Sequence, residues 1–371
     1  MLRWQNVKIQ SLKIRSFRNI GLLEWNPGAF LNLVLGKNGQ GKTNLLDAIA
    51  LLCQGKPMRA IRSNEELIQQ GQPASRLEAR LAVDTPMDVA MTLDCDGKQV
   101  WVDKKSVRDS LKLRERIALI AFVPEDLGAI FGGASTRRKL LDQVCVSLFP
   151  NYLRYYRQYE KALLQRNRLL KAPIVDWLEL ESFTRVLSDY ALELEKIRHE
   201  TLQILGPFYQ DSIQVLSGGF LKIELKYEPS SQGKLYDALL ARRLEERARK
   251  TTILGPHLDD LDIFMNGSPS RFSASRGQAR MMILAFKMAQ LGCVLANRGT
   301  TPILLLDDVV GELDQDNANR LFSTIEKVQA QTFLTTTHAD LLPNSWQGEA
   351  ERVFIQAGQV FDQEPLEGAR A

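Results

Sequence analysis

The 371-residue sequence predicts an α/β fold with a main sheet built from both ends of the chain. Three observations carry that reading. Strand and helix patterns alternate near both termini. Hydrophobicity of period two fills 76–103, which reads as an antiparallel β subdomain. From about Thr136 the chain turns helical and charge-rich, which reads as a short inserted helical arm. The expected lobes are 1–135 with 281–371, and 136–280.

Residues 7–35 read as strands: Leu12 and Ile14 alternate with Lys13 and Arg15, and 30–35 run apolar up to Gly36. The next eight residues, GKNGQGKT (36–43), fit GxxxxGK[ST]. Glycines let a loop wrap phosphate oxygens with its backbone N–H groups, and the following helix N-terminus favours the anion. The candidate nucleotide-binding residues are Gly36, Lys37, Asn38, Gly39, Gln40, Gly41, Lys42 and Thr43. Lys42 would reach the β- and γ-phosphates of ATP, and the Thr43 hydroxyl would bind Mg²⁺. A helix then follows, with Leu45, Leu46, Ala48, Ile49 and Leu52 as its apolar face, ended by Gly55 and Pro57. In the period-two segment, Asp96-Gly97 reads as a hairpin turn.

Two amphipathic helices, 152–171 and 175–205, break at Pro173 and form the arm. Residues 221–228 alternate as a half-exposed strand. After Gly267 a helical stretch leads to PILLLDDV (302–309), a buried strand ending in acid. Asp307 emerges where it would hold the magnesium shell. Asp308 would orient or deprotonate the attacking water. A helix near 317–329 precedes another strand, 332–336, and His338 follows it as a candidate contact to the γ-phosphate.

Two segments look like the serine–glycine signature with which one class of ATPases contacts a partner's nucleotide: LSGGF (216–220) and ASRGQ (274–278). Such a signature needs a helix directly behind it, so that its hydroxyl and N–H groups point at phosphate. LSGGF runs into a strand pattern and reads as a turn. ASRGQ runs into 279–297, whose polar residues form a narrow stripe. Ser275, Gly277 and Gln278 are therefore the signature candidates.

Apolar residues make up 44% and charged residues 25%, an ordinary globular composition. The net charge of +4 is compatible with a nucleic-acid partner without demanding one. The four cysteines form no CxxC pair and are expected to be reduced thiols. The longest apolar run noted, 117–123, falls far short of a membrane span, and the expected compartment is the cytoplasm. Arg137, Arg138, Lys139, Arg154, Arg157, Lys161, Arg166 and Arg168 are candidate contacts to a phosphate backbone.

The order phosphate loop, signature, acidic strand is that of ABC-type ATPases. GELD (311–314) looks like their D-loop and TTTH (335–338) like their switch-histidine strand. Together IRSFRN (14–19), GKNGQGKTNLLDAI (36–49), FVPEDL (122–127), RRKLLD (137–142), LGPHLDDL (254–261), SRGQAR (275–280) and LLLDDVVGELD (304–314) resemble the RecF family across nearly the whole chain. The resemblance implies an ABC/SMC-type ATPase head with a short helical arm in place of a long coiled coil. It also implies an ATP-dependent homodimer on DNA gaps and junctions, slow hydrolysis, and work with RecR and RecO in loading RecA. Pro124, Glu125 and Asp126 fall where ABC proteins keep a water- and metal-sensing loop. His257, Asp259 and Asp260 form either a node near the dimer face or a capped turn. Departures from the family pattern are Asp47 for glutamate, Arg276 for glutamine, and Val310-Gly311 for Phe-Ser. The alternative expectation is the ATP-binding subunit of an ABC transporter; a further one is an ATP-gated clamp with negligible turnover.

Overall fold

A computed structural model describes residues 5–107, 111–309, 311, 313, 315–337, 342–343, 346, 350–361 and 363. The chain divides into two compact units, residues 1–125 with 294–371, and residues 126–293.

The first unit is built on a six-stranded sheet. Its order is Gln359–Phe361, Glu351–Gln356, Leu31–Leu35, Thr332–Thr336, Ile303–Asp307 and Leu119–Phe122. All neighbours run parallel except the outermost pair, Gln359–Phe361 with Glu351–Gln356. The three central strands are buried at every position, as expected of a parallel sheet covered on both faces. In register, Leu35 lies opposite Thr336, and Asp307 opposite Thr335. The C-terminal ends of these strands thus share one edge, where α/β sheets carry ligands. The predicted α/β sheet drawn from both ends of the chain is present.

A second sheet in this unit is wholly antiparallel: Ile20–Trp25, Lys8–Phe17, Ala74–Ala82, Met87–Asp94, Gly97–Val102 and Lys105–Val107. Leu77, Ala79 and Leu81 alternate inward and join Met87, Val89 and Met91 in one core with the helix Lys42–Gln54. The hairpin turn falls one residue earlier than predicted. Asp94 pairs with Gly97, so Cys95 and Asp96 form the loop. The Asp94 carboxylate accepts from the N–H groups of Asp96 (3.0 Å) and Gly97 (2.9 Å), which fixes the turn.

The second unit contains the arm. Its helices are Tyr152–Lys171 and Trp177–Ser217, the latter 41 residues long and extending well past the expected end at 205. The Asp176 carboxylate caps the second by accepting from Leu178 and Glu179 N–H at 3.0 Å. Pro207 lies within this helix, which ends at Gly218 with φ +64°. LSGGF is therefore the C-terminus of a helix: Gly219 N–H donates to Gln214 O at 3.0 Å. Strands Ile223–Glu228, Asp260–Met265 and Ser268–Pro269 form a small antiparallel sheet. The helix Arg276–Arg298 is long and apolar enough to cross a membrane. However, Met282, Leu284, Phe286, Ala289 and Leu291 are buried within the protein, so it is a core helix.

Candidate nucleotide site

The phosphate-loop sequence leaves its buried strand at Gly36, whose φ of +150° favours glycine; a Cβ there would lie 2.3 Å from Ile355 O. Asn19 packs where a Cβ on Gly41 would stand, 2.7 Å from its Oδ1. The same asparagine donates from Nδ2 to Gln40 O at 2.9 Å. Gly358 N–H donates to Gln40 O at 3.0 Å, and Ala357 N–H to Gln40 Oε1 at 2.6 Å. The loop is thus held from two sides by backbone and amide groups. Lys42 opens the helix, and its Nζ donates to Gly36 O (2.6 Å), Lys37 O (3.1 Å) and Asn38 Oδ1 (3.5 Å). Burial lowers the Lys42 pKa, opposed by the negative charges of Asp308 and Asp307.

Asp307 is brought to this loop across 264 residues. Thr43 Oγ1 donates to Asp307 Oδ1 at 2.9 Å, and Thr335 Oγ1 donates to the same oxygen at 2.8 Å. Burial pushes the Asp307 carboxyl up, while hydrogen bonds from Thr335 and Thr43 and the charge of Arg59 pull it down. A hydroxyl and a carboxylate oxygen in contact are hard-oxygen donors of the kind Mg²⁺ takes, with phosphate oxygens and water to complete the shell. Asp308 adopts a left-handed backbone, φ +52°, and its N–H donates to Thr335 Oγ1 at 2.9 Å. His338 and Val310, Glu312 and Asp314 of the D-loop segment lie outside the described residues.

The sequence reading missed a buried charge cluster behind the loop. Asp47, fully buried, pairs with Arg59 at 2.7 Å and Arg18 at 3.1 Å and accepts from Met58 N–H at 2.9 Å. Asn44 Oδ1 accepts from Arg59 Nη2 at 2.7 Å, and Asn44 Nδ2 donates to Asn19 Oδ1 at 2.8 Å. A continuous polar path therefore joins Arg59 to the residue that pins Gln40. Asp47 was visible only as a departure from the family pattern. Arg59 lies past the helix end, where no spacing rule links it to Asp47.

In the second unit, Ser275 stands directly before the helix Arg276–Arg298. Its N–H donates to Gln278 Oε1 at 2.8 Å, and Gln278 N–H donates to Ser275 Oγ at 3.2 Å. This reciprocal pair is a capping box, and its residue types alone would have signalled a helix start. Ser275, Arg276 and Gly277 are exposed. Asp126 is tied to Lys287 of this helix at 3.0 Å.

The GPHLDDL segment is the hub of a buried network. Arg198, 1% exposed, pairs with Asp142 (3.0 Å) and Asp259 (3.2 Å) and donates to Pro256 O (2.9 Å). The Tyr159 hydroxyl lies 2.5 Å from His257 Nδ1. Arg137 forks onto Asp260 at 2.8 and 2.7 Å, and Arg138 donates to Asp259 O at 2.5 Å. Arg166 forks onto Glu246 at 2.8 and 2.6 Å. Arg137 and Arg166 are buried and paired, so both leave the predicted group of phosphate contacts. Lys139, Arg154, Arg157, Lys161 and Arg168 are exposed.

Residues 8–360 match the family described as the RecF/RecN/SMC N-terminal domain. The chain is 34% identical over 346 residues to the DNA replication and repair protein RecF of Geotalea uraniireducens (strain Rf4), covering 89% of this chain and 93% of that protein. It is also 34% identical over 372 residues to the protein of that name from Halalkalibacterium halodurans, covering 95% and 98%. A solved structure of the recombination mediator protein RecF with ATP, of the RecFOR pathway, superposes with a TM-score of 0.87 at 28% identity, over 96% of this chain and 98% of that one. An Smc head bound to the C-winged helix domain of ScpA superposes at 0.55 and 15% identity over 95% of each chain, a likeness of fold alone. These relatives do not favour the transporter alternative.

Proposed function

The chain belongs to the RecF family, and from that premise we propose that it is an ATP-dependent DNA-binding protein of recombinational repair and replication restart. It acts in the cytoplasm and hydrolyses ATP slowly. The observation that carries the reading is the 2.9 Å contact of Thr43 with Asp307, which joins a phosphate-loop sequence to an acidic strand end beside Lys42. The names of the curated relatives and the ATP complex of the solved RecF structure support it.

The loop 36–43 wraps the triphosphate, and Lys42 exchanges its bonds to Gly36 O and Lys37 O for β- and γ-phosphate oxygens. Thr43 and Asp307 would hold Mg²⁺, which would neutralise phosphate charge. Asp308 orients the attacking water, and His338 contacts the γ-phosphate. Ser275, Gly277 and Gln278 close on the triphosphate from a second copy of the chain. The unit carrying the loop is the ATPase lobe, and the unit carrying Ser275 is the signature and arm lobe. The nucleotide-bound dimer holds DNA at gaps and single-strand/double-strand junctions and works with RecR and RecO to load RecA; the RecFOR pathway of the solved structure supports RecR and RecO as partners.

An aspartate at 308 is one methylene shorter than the glutamate usual in transporters, which leaves water less well aligned and suits slow turnover. Hydrolysis measured with and without gapped DNA is expected to stay below roughly 10 per second and to rise with DNA. Lys42→Met is expected to weaken ATP binding at least about tenfold, through removal of a charge-assisted hydrogen bond. Unchanged ATP binding in Lys42→Met overturns the site assignment, and native turnover that ignores DNA overturns the coupling.

A further inference from the structure

We infer that the outer face of the arm helix Tyr152–Lys171 is the surface that grips duplex DNA by its phosphate backbone, while the neighbouring helix Trp177–Ser217 turns DNA away. The inference rests on the DNA-binding reading above and deepens it.

Arg154, Arg157, Lys161, Arg168 and Lys171 are exposed on this helix, against Glu160 as its one acid. Their spacings of 3, 4, 7 and 3 residues place them along one face. At 1.5 Å per residue the row spans about 26 Å, the length of about 8 base pairs.

Helix stability does not explain the row. Arg168 and Lys171 sit in the last turn, where cations suit the macrodipole. Arg154 sits in the first turn, where a cation opposes it, and no acidic residue there offsets the charge. Nor does ion pairing within the arm explain four of its five members. The inward Arg166 of the same helix is forked onto Glu246, yet Arg154, Lys161, Arg168 and Lys171 pair with no carboxylate among the described residues.

The adjoining helix carries the opposite charge. Its exposed and half-exposed positions include Glu179, Glu181, Asp189, Glu193 and Glu200, against Arg185 and Lys196. A polyanion is therefore attracted to one side of the arm and repelled from the other, which gives bound DNA a direction as well as affinity. Phosphate contacts of this kind fix position without reading sequence.

The test compares the native chain with Arg154→Gln/Lys161→Gln/Arg168→Gln. Glutamine keeps helix propensity, and these exposed positions leave the core untouched. DNA binding with ATP present is measured on a gapped duplex across a salt series, alongside ATP binding and a thermal melt. The slope of log K against log salt should become shallower by about 2.7, about 0.9 for each of the three phosphates left unneutralised. ATP affinity and melting temperature should hold. Arg154→Lys/Arg168→Lys should keep the native slope, and Asp189→Asn/Glu193→Gln should not make it shallower. A native slope in the triple variant overturns the inference while leaving the ATP-dependent DNA function standing. A native protein that fails to bind DNA overturns both, and that result precedes any substitution.

Discussion

Asp307, the carboxylate proposed to hold magnesium, is costly to ionise where it sits. Its ionised carboxylate is held in a buried place that raises its pKa, so ionisation costs the nucleotide-free fold. The folded pKa lies above the unfolded one. The penalty is therefore absent where the group is protonated in both states and complete once pH has risen past the folded pKa. Asp307→Asn should consequently melt at a higher temperature than the native chain near pH 8, with the gap closing towards pH 3, and should lose metal-dependent hydrolysis. Melting curves at the two pH values check the first part; an asparagine variant less stable at pH 8 would contradict it. Lys42, Thr43 and Asp307 were legible because each sits inside a short pattern flanked by an unambiguous strand or helix. Arg18 and Arg59 were not, because their partner Asp47 is reached only through tertiary folding.

At the scale of elements, the arm is held by charge buried among apolar side chains. Arg166 and Glu246 are 1% and 0% exposed, with Thr184 and Thr252 completing the arginine's hydrogen bonds. Arg166→Met leaves Glu246 buried without its partner and should cost about 3–5 kcal/mol. Arg166→Met/Glu246→Leu should recover most of that stability. Denaturant titration of the three proteins checks this, and a double variant no better than the single one would refute it. The first arm helix was readable to the residue from its periodicity. The second runs past its expected end at 205, straight through Gly206 and Pro207. Proline costs a hydrogen bond and a clash in a helix interior, but the buried side chains on either side, Leu205, Tyr209 and Ile213, outweigh it. The hairpin turn slipped by one residue because the Asp94 side chain, not the glycine, sets its geometry.

At the scale of the whole molecule, the sheet explains why one end of the chain is useless without the other. The strand bearing the phosphate loop lies beside Thr332–Thr336, and the acidic strand lies one further out. That both ends contribute to one sheet was readable, since both carried strand–helix alternation around phosphate-binding and acidic motifs. Where each strand sits was not, because register and neighbour choice come from packing. The candidate signature, by contrast, has its helix start formed and its serine exposed within a separate unit. The proposed function therefore turns on a second copy of the chain. The most direct test is the mass in solution of the native protein and of Ser275→Arg, each saturated with a slowly hydrolysed ATP analogue. The account predicts a native particle of twice the 41.9 kDa chain mass and a variant that binds the analogue yet remains a single chain. A native protein that binds the analogue and stays single, or a Ser275→Arg variant that doubles like the native, would contradict it.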